Sequence, residues 1–324
     1  MSPAKASKKK SISTKRIRSI KTHPTSVESS FAFLDAYAQA LVTQDKSAAT
    51  IKGYRNALQQ FTRWLMHTRG ESYKTVQELV RAITPTDIRE HRAYLLNLKH
   101  APAGTINQRL IALRSLTTWA RQQGWIDGDP VNGIKAVKQV PTAPRWLDRK
   151  EQYALRRAAE KEGNIRNLAI LLLLMNTGLR VSEVAGLRLD DLKLSERKGE
   201  VSVRGKGSKV RTVPLNADAR KALKEYLAKR PHADHQAVFV GQKGEPLGWL
   251  GIEYQIKTLA RLANLENVTP HTLRHTFAKN LVDSGVSLDR VAMLLGHRSL
   301  TTTARYTQPS QDDLAREVEK LSLG

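Results

Sequence analysis

The sequence predicts a mostly α-helical chain with a small β-sheet, divided into two domains. Three observations carry this reading. Apolar residues recur at helical spacing through the first half of the chain and again in the second. Two short alternating segments, Glu200 to Arg204 and Lys209 to Pro214, flank Gly205-Lys206-Gly207-Ser208 and read as two strands joined by a turn. Between the halves, residues 137–146 hold two prolines and no periodicity, which is the composition of a linker.

Residues 1–29 carry eight Lys/Arg against one acid, Glu28, with frequent Ser and Thr and no apolar period. They read as a flexible basic tail, for solubility or for loose contact with phosphate. Residues 30–136 read as a domain of four or five helices. Ile51, Tyr54, Leu58, Phe61 and Leu65 line one helical face. Thr84-Pro85-Thr86-Asp87 is a helix start, with a capping hydroxyl, Pro in the first position and an acid in the first turn. Ile106, Leu110, Leu113 and Leu116 mark a further helix that ends near Gly124.

Residues 147–309 read as a mixed domain. Asp148 with Glu151 three residues on forms a capping box that opens its first helix. Ile165 to Asn176 is apolar all round, hence a buried helix, and Gly178 stands at its stop. Val181 to Ala185 is a short helix; Asn216 to Arg230 and Trp249 to Ala263 are longer ones. A helix begins after Thr269-Pro270 and stops at Gly285; another spans Ser287 to Leu295, and Ser299 caps a short one leading to Tyr306. Residues 310–324 place Leu314, Val318 and Leu321 on one face, too short a piece to hold a helix without a partner surface.

With 54 Lys+Arg against 30 Asp+Glu, the 324-residue chain has a formal net charge of +24. An excess this large points to a polyanion, and nucleic acid is the commonest. There is no cysteine, which removes disulfides, thiol nucleophiles and thiolate metal sites. The longest apolar run, Leu168 to Met175, is too short to span a membrane, and the basic N-terminus lacks an apolar stretch after it. These features predict a soluble cytoplasmic protein.

The residues that can do chemistry are cations and one phenol. His271 and Arg274 stand three apart on a helix and project from one face; alone, they read better as a structural pair. His275 beside them reads as a support of the fold. The intervening Glu of a zinc-protease helix is missing, so a metal is not implied. Lys206 sits between glycines in the two-strand turn, where a lysine either faces water or swings into a cleft to donate a proton. The turn lacks the phosphate-loop spacing, so a nucleotide cofactor is not implied. Arg180 follows the helix-stop glycine, and Glu183 can either orient a neighbouring cation or form a structural ion pair. A phenol such as Tyr306 titrates near pH ~10 and needs cations and a base to act at neutral pH. As a group these residues suit a phosphate, with cations for the anionic oxygens, a proton donor for the leaving group and an oxygen nucleophile.

The string Thr177-Gly178-Leu179-Arg180-Val181-Ser182-Glu183, the turn Lys206, His271-Thr272-Leu273-Arg274-His275, Leu295-Gly296-His297 and Tyr306 closely resemble the tyrosine recombinase (integrase) family, of the phage integrase and Xer-like type. The resemblance covers residues 147–309 with high specificity and extends more loosely over residues 30–136. It implies a helical core-binding domain and a mixed α/β catalytic domain that close on double-stranded DNA as a clamp. It implies that Tyr306 attacks a phosphodiester to give a 3′-phosphotyrosine. Arg180, Arg274 and His297 hold the non-bridging oxygens, Lys206 protonates the leaving 5′-oxygen, His271 assists proton transfer, and Glu183 supports them. No cofactor or metal is required. A homotetramer on two duplexes exchanges strands through a Holliday junction at a specific site, residues 310–324 serving as an oligomerisation segment or folding back on their own domain. The other readings are a DNA-relaxing enzyme of the type IB topoisomerase kind and a non-catalytic DNA-binding protein on the same scaffold.

Overall fold

The computed structural model describes residues 29–139, 144–204, 210–296, 299–304, 306, 307 and 318. The chain divides into two units, residues 1–141 and 142–324.

Local signals set the helices of the first unit. They are α1 (Asp35–Thr43), α2 (Ala48–Arg69), α3 (Val76–Ala82), α4 (Pro85–Asn97) and α5 (Ala103–Gln122). Ser47 caps α2 by accepting from the Thr50 amide, and Gly70 ends it in the left-handed region at φ 70°. Thr84 and Asp87 form a reciprocal capping box at α4. Asp87 also accepts from Arg69 Nε at 3.1 Å and Nη2 at 2.6 Å, which ties the end of α2 to the start of α4. Leu58, Phe61 and Leu65 of α2 meet Leu79, Ile88, Leu113 and Leu116 in one core. Beside it His91 is buried, its ring edge-on to Phe61 and near Trp64. Burial, then the Arg109 charge, pushes its pKa down to about 4.

The second unit is built around α7 (Ile165–Thr177), whose residues 169–174 are all buried. It packs against α6 (Arg149–Glu162), α9 (Ala217–Ala228), α10 (Trp249–Leu262) and α11 (Pro270–Asp283). The short helix α8 (Val181–Ala185) follows α7, and α12 (Leu288–Leu295) and α13 (Leu300–Ala304) follow α11. An antiparallel sheet of order β1-β2-β3 is formed by Leu192–Leu194, Gly199–Arg204 and Val210–Pro214. The sequence reading contained β2 and β3 only. Strand β1 is Leu-Lys-Leu, too short for an alternation to register, and exists because it pairs with β2. Val201 and Val203 of β2 face Val213 and Arg211 of β3. Among the described residues no helix is long and apolar enough to cross a membrane.

Candidate active site

The site grows from the end of α7. Gly178 closes that helix in the left-handed region at φ 61°, and a Cβ there would collide with the Phe277 ring and the Leu295 side chain. A residue without a side chain therefore lets this turn touch α11 and α12. Two residues on, Arg180 occupies the N-cap of α8. Its backbone N–H donates to Glu183 Oε2 at 2.8 Å, and its Nη1 donates to Oε1 at 3.0 Å. The Arg180 side chain stays 45% exposed while that of Glu183 is 8% exposed.

A second arginine shares this carboxylate. Arg211 of β3 donates from Nη1 to Glu183 Oε1 at 2.8 Å and from Nη2 to Oε2 at 2.9 Å, the bidentate fork a guanidinium is shaped for. Its Nε donates to the Leu294 carbonyl at the end of α12. Burial alone would raise the Glu183 pKa. The Arg211 hydrogen bonds, the Arg180 amide and both positive charges outweigh it and hold the carboxyl below its usual range.

Arg274 of α11 is 2% exposed. Its Nη1 donates to the Gly178 carbonyl and its Nη2 to the Leu295 carbonyl at 2.7 Å. One guanidinium thus joins the turn before Arg180 to the end of α12. Its pKa falls to about 10, chiefly through burial and then through the like charge of Arg180, with Glu183 and Tyr306 opposing the fall. It remains charged at neutral pH. Arg180 and Arg211 pair with Glu183, and Arg274 lies within electrostatic reach of it, a surplus of positive charge that an anion can neutralise.

Tyr306 is 2% exposed and packs with Ala278, Val291 and Leu295. Its hydroxyl and His275 Nδ1 lie 2.7 Å apart in a hydrogen bond. His271, one turn earlier on α11 and exposed, sets its ring edge-on to that of His275 at 4.2 Å between centroids. Arg180, Glu183, Arg274 and Tyr306 thus come together, and His271 reaches Tyr306 by way of His275. Lys206, between β2 and β3 in the sequence, and His297, after Gly296, lie outside the described residues. Two contributors escaped the sequence reading. Arg211 carried a signal: it shares a strand face with the buried Val213, and a cation there needs an anion. His275 carried none beyond its place beside Arg274, since its partner is 31 residues away.

The phage integrase family model matches residues 145–312. The chain belongs to the phage integrase family of tyrosine recombinases. Residues 33–127 match the N-terminal SAM-like domain of phage integrases. The tyrosine recombinase XerC of Xylella fastidiosa strain M23 is 35% identical over 284 residues, covering 87% of this chain and 91% of that protein. XerC of Pseudomonas syringae pathovar tomato is 33% identical over 287 residues, covering 87% and 93%. Among solved structures, the XerH site-specific recombinase bound to a palindromic difH substrate shares the fold. Its TM-score is 0.69 at 23% identity, over 90% of this chain and 83% of that one. As a member of this family the chain is an enzyme, a site-specific tyrosine recombinase.

Proposed function

We propose that this recombinase cuts and rejoins double-stranded DNA with Tyr306 as nucleophile. The phenolic oxygen attacks the scissile phosphorus and a bond forms between them. The bond from phosphorus to the 5′-oxygen breaks, leaving a 3′-phosphotyrosine and a 5′-hydroxyl. Arg180, Arg274 and His297 hold the non-bridging oxygens as charge gathers on them, a kind of contact whose loss typically costs ~3–4 kcal/mol of barrier. Lys206 supplies the proton of the departing oxygen. The phenol gives its proton up to the paired histidines: His275 is the ring already bonded to it, and His271 lies against that ring. Glu183 keeps Arg180 in place.

The observation that carries the reading is Arg274, buried and within electrostatic reach of Arg180 and of the Tyr306 phenol. A recognition set for a neutral or cationic substrate would not concentrate guanidinium groups around one carboxylate. Because the phosphotyrosine keeps the ester's energy, a second 5′-hydroxyl religates the strand without ATP. We further propose that four protomers on two duplexes exchange strands in pairs through a Holliday junction. Residues 310–324, outside the described residues apart from Val318, would dock on a neighbouring protomer.

A supercoiled plasmid carrying two copies of the recombination site separates this from the alternative chemistry. Resolved or inverted products are expected. Relaxation of the plasmid with no rearranged product would mean a DNA-relaxing enzyme instead.

A further inference from the structure

Arg211 holds three segments of the site together, although it comes from a strand and has no place in the chemistry above. On β3 it stands opposite Val203 and shares a face with Val213, which are 2% and 1% exposed. The side chain is itself 18% exposed. Its fork takes both oxygens of Glu183, and its Nε reaches the Leu294 carbonyl at 3.3 Å. A Cβ built on Gly296 would stand 3.0 Å from its Cζ, so the guanidinium lies flat against the backbone of that turn.

Each anchor leads to a residue of the site. Glu183 grips the backbone and side chain of Arg180. The Leu294–Gly296 turn leads directly into His297, and β3 begins four residues after Lys206 in the sequence. Charge matters as well as position. Two guanidinium groups compete for one carboxylate. Arg211 takes it in the bidentate mode, and Arg180 keeps one side-chain bond to it while remaining 45% exposed. Without Arg211, Glu183 would be at liberty to pair fully with Arg180 and cancel the charge meant for a phosphate. A lysine cannot replace it, because one ammonium does not span two carboxylate oxygens and a carbonyl in that geometry.

We infer that Arg211 is a positioning residue of the recombinase, one that divides Glu183 between two arginines so that Arg180 meets the scissile phosphate with its charge uncancelled. This rests on the proposed role of Arg180 as a phosphate-holding group.

The test compares full-length wild type with Arg211→Lys and Arg211→Met in single-turnover cleavage. The substrates are a nicked duplex carrying the recombination site and the same duplex with a methylphosphonate at the scissile position. DNA affinity and melting temperature are measured alongside. Both variants should cleave the ordinary phosphate at least about tenfold more slowly while binding DNA like wild type. On the methylphosphonate, which offers less negative charge to hold, the defect should shrink to a few-fold. Unchanged cleavage of the phosphate, or equal slowing on both substrates, would overturn the inference, the second outcome marking Arg211 as a mere brace of the fold. Should Arg211→Met fail to fold, Arg211→Lys decides the matter alone, since it keeps the charge and loses only the fork. Absence of cleavage by the wild type would instead count against the assignment of the site itself.

Discussion

Glu183 sits between Arg180 and Arg211 and is kept ionised by them. Its pKa in the folded protein lies below the value of 4.5 that it regains on unfolding. The unfolded chain therefore binds more protons between these two values, and stability rises with pH across that interval. The contribution is complete above about pH 4.5 and is lost as the pH falls through the lower folded value. Glu183→Gln removes this dependence. At neutral pH the variant should be less stable by about 3 kcal/mol, because two arginines lose their partner. The gap should narrow steadily as urea titrations are repeated from pH 5 downward. A gap that stays constant with pH would show that the carboxylate's charge is not what holds these groups. Arg274 behaves otherwise: its pKa of about 10 leaves it charged across the whole working range, so it contributes no such slope near neutrality.

Helix ends build the site more than helix middles do. Arg180 is an N-cap residue, Gly178 and Gly296 are left-handed helix stops, and Tyr306 follows α13. Gly178 matters most, because its turn touches Phe277 and Leu295 and its carbonyl accepts from Arg274. Gly178→Ala adds a Cβ to a left-handed residue, about 1–2 kcal/mol, and pushes it into a packed core, about 1–3 kcal/mol more. We expect a loss of about 3 kcal/mol from the denaturation midpoint, with slower DNA cleavage as Arg274 shifts. Gly244 is the control. It has φ +83° but nothing within 4 Å of an added Cβ, so Gly244→Ala should cost only the backbone part. Equal losses at the two positions would mean that contact with α11 and α12 does not constrain the Gly178 turn.

Across the whole molecule, what the sequence made legible was local. The helix start at Thr84 with Asp87 in its first turn, the capping box at Asp148 and Glu151, and the stop at Gly178 depend on residues within four positions of each other, and all are found. The mostly helical fold with its small sheet could be read in the same way, from periodicity. Strand β1 could not, because three residues carry no period and only pairing with β2 defines it. The site divides along the same line. Arg180 and Glu183 are neighbours in sequence, whereas Arg211 meets Glu183 across 28 residues and His275 meets Tyr306 across 31. Such pairs join α8 to β3 and α11 to the residue beyond α13, and no short pattern encodes them. The family resemblance supplied roles for seven residues and none for Arg211 or His275.

The most direct measurement is the covalent link itself. The protein is incubated with a nicked duplex carrying its site, so that the cut strand cannot be rejoined, and the product is run on a denaturing gel and digested with trypsin. The account predicts a protein–DNA adduct with wild type, a 3′-phosphate mapped to the peptide that begins at Tyr306, and no adduct with Tyr306→Phe. An adduct on any other residue, or one that survives Tyr306→Phe, would contradict it.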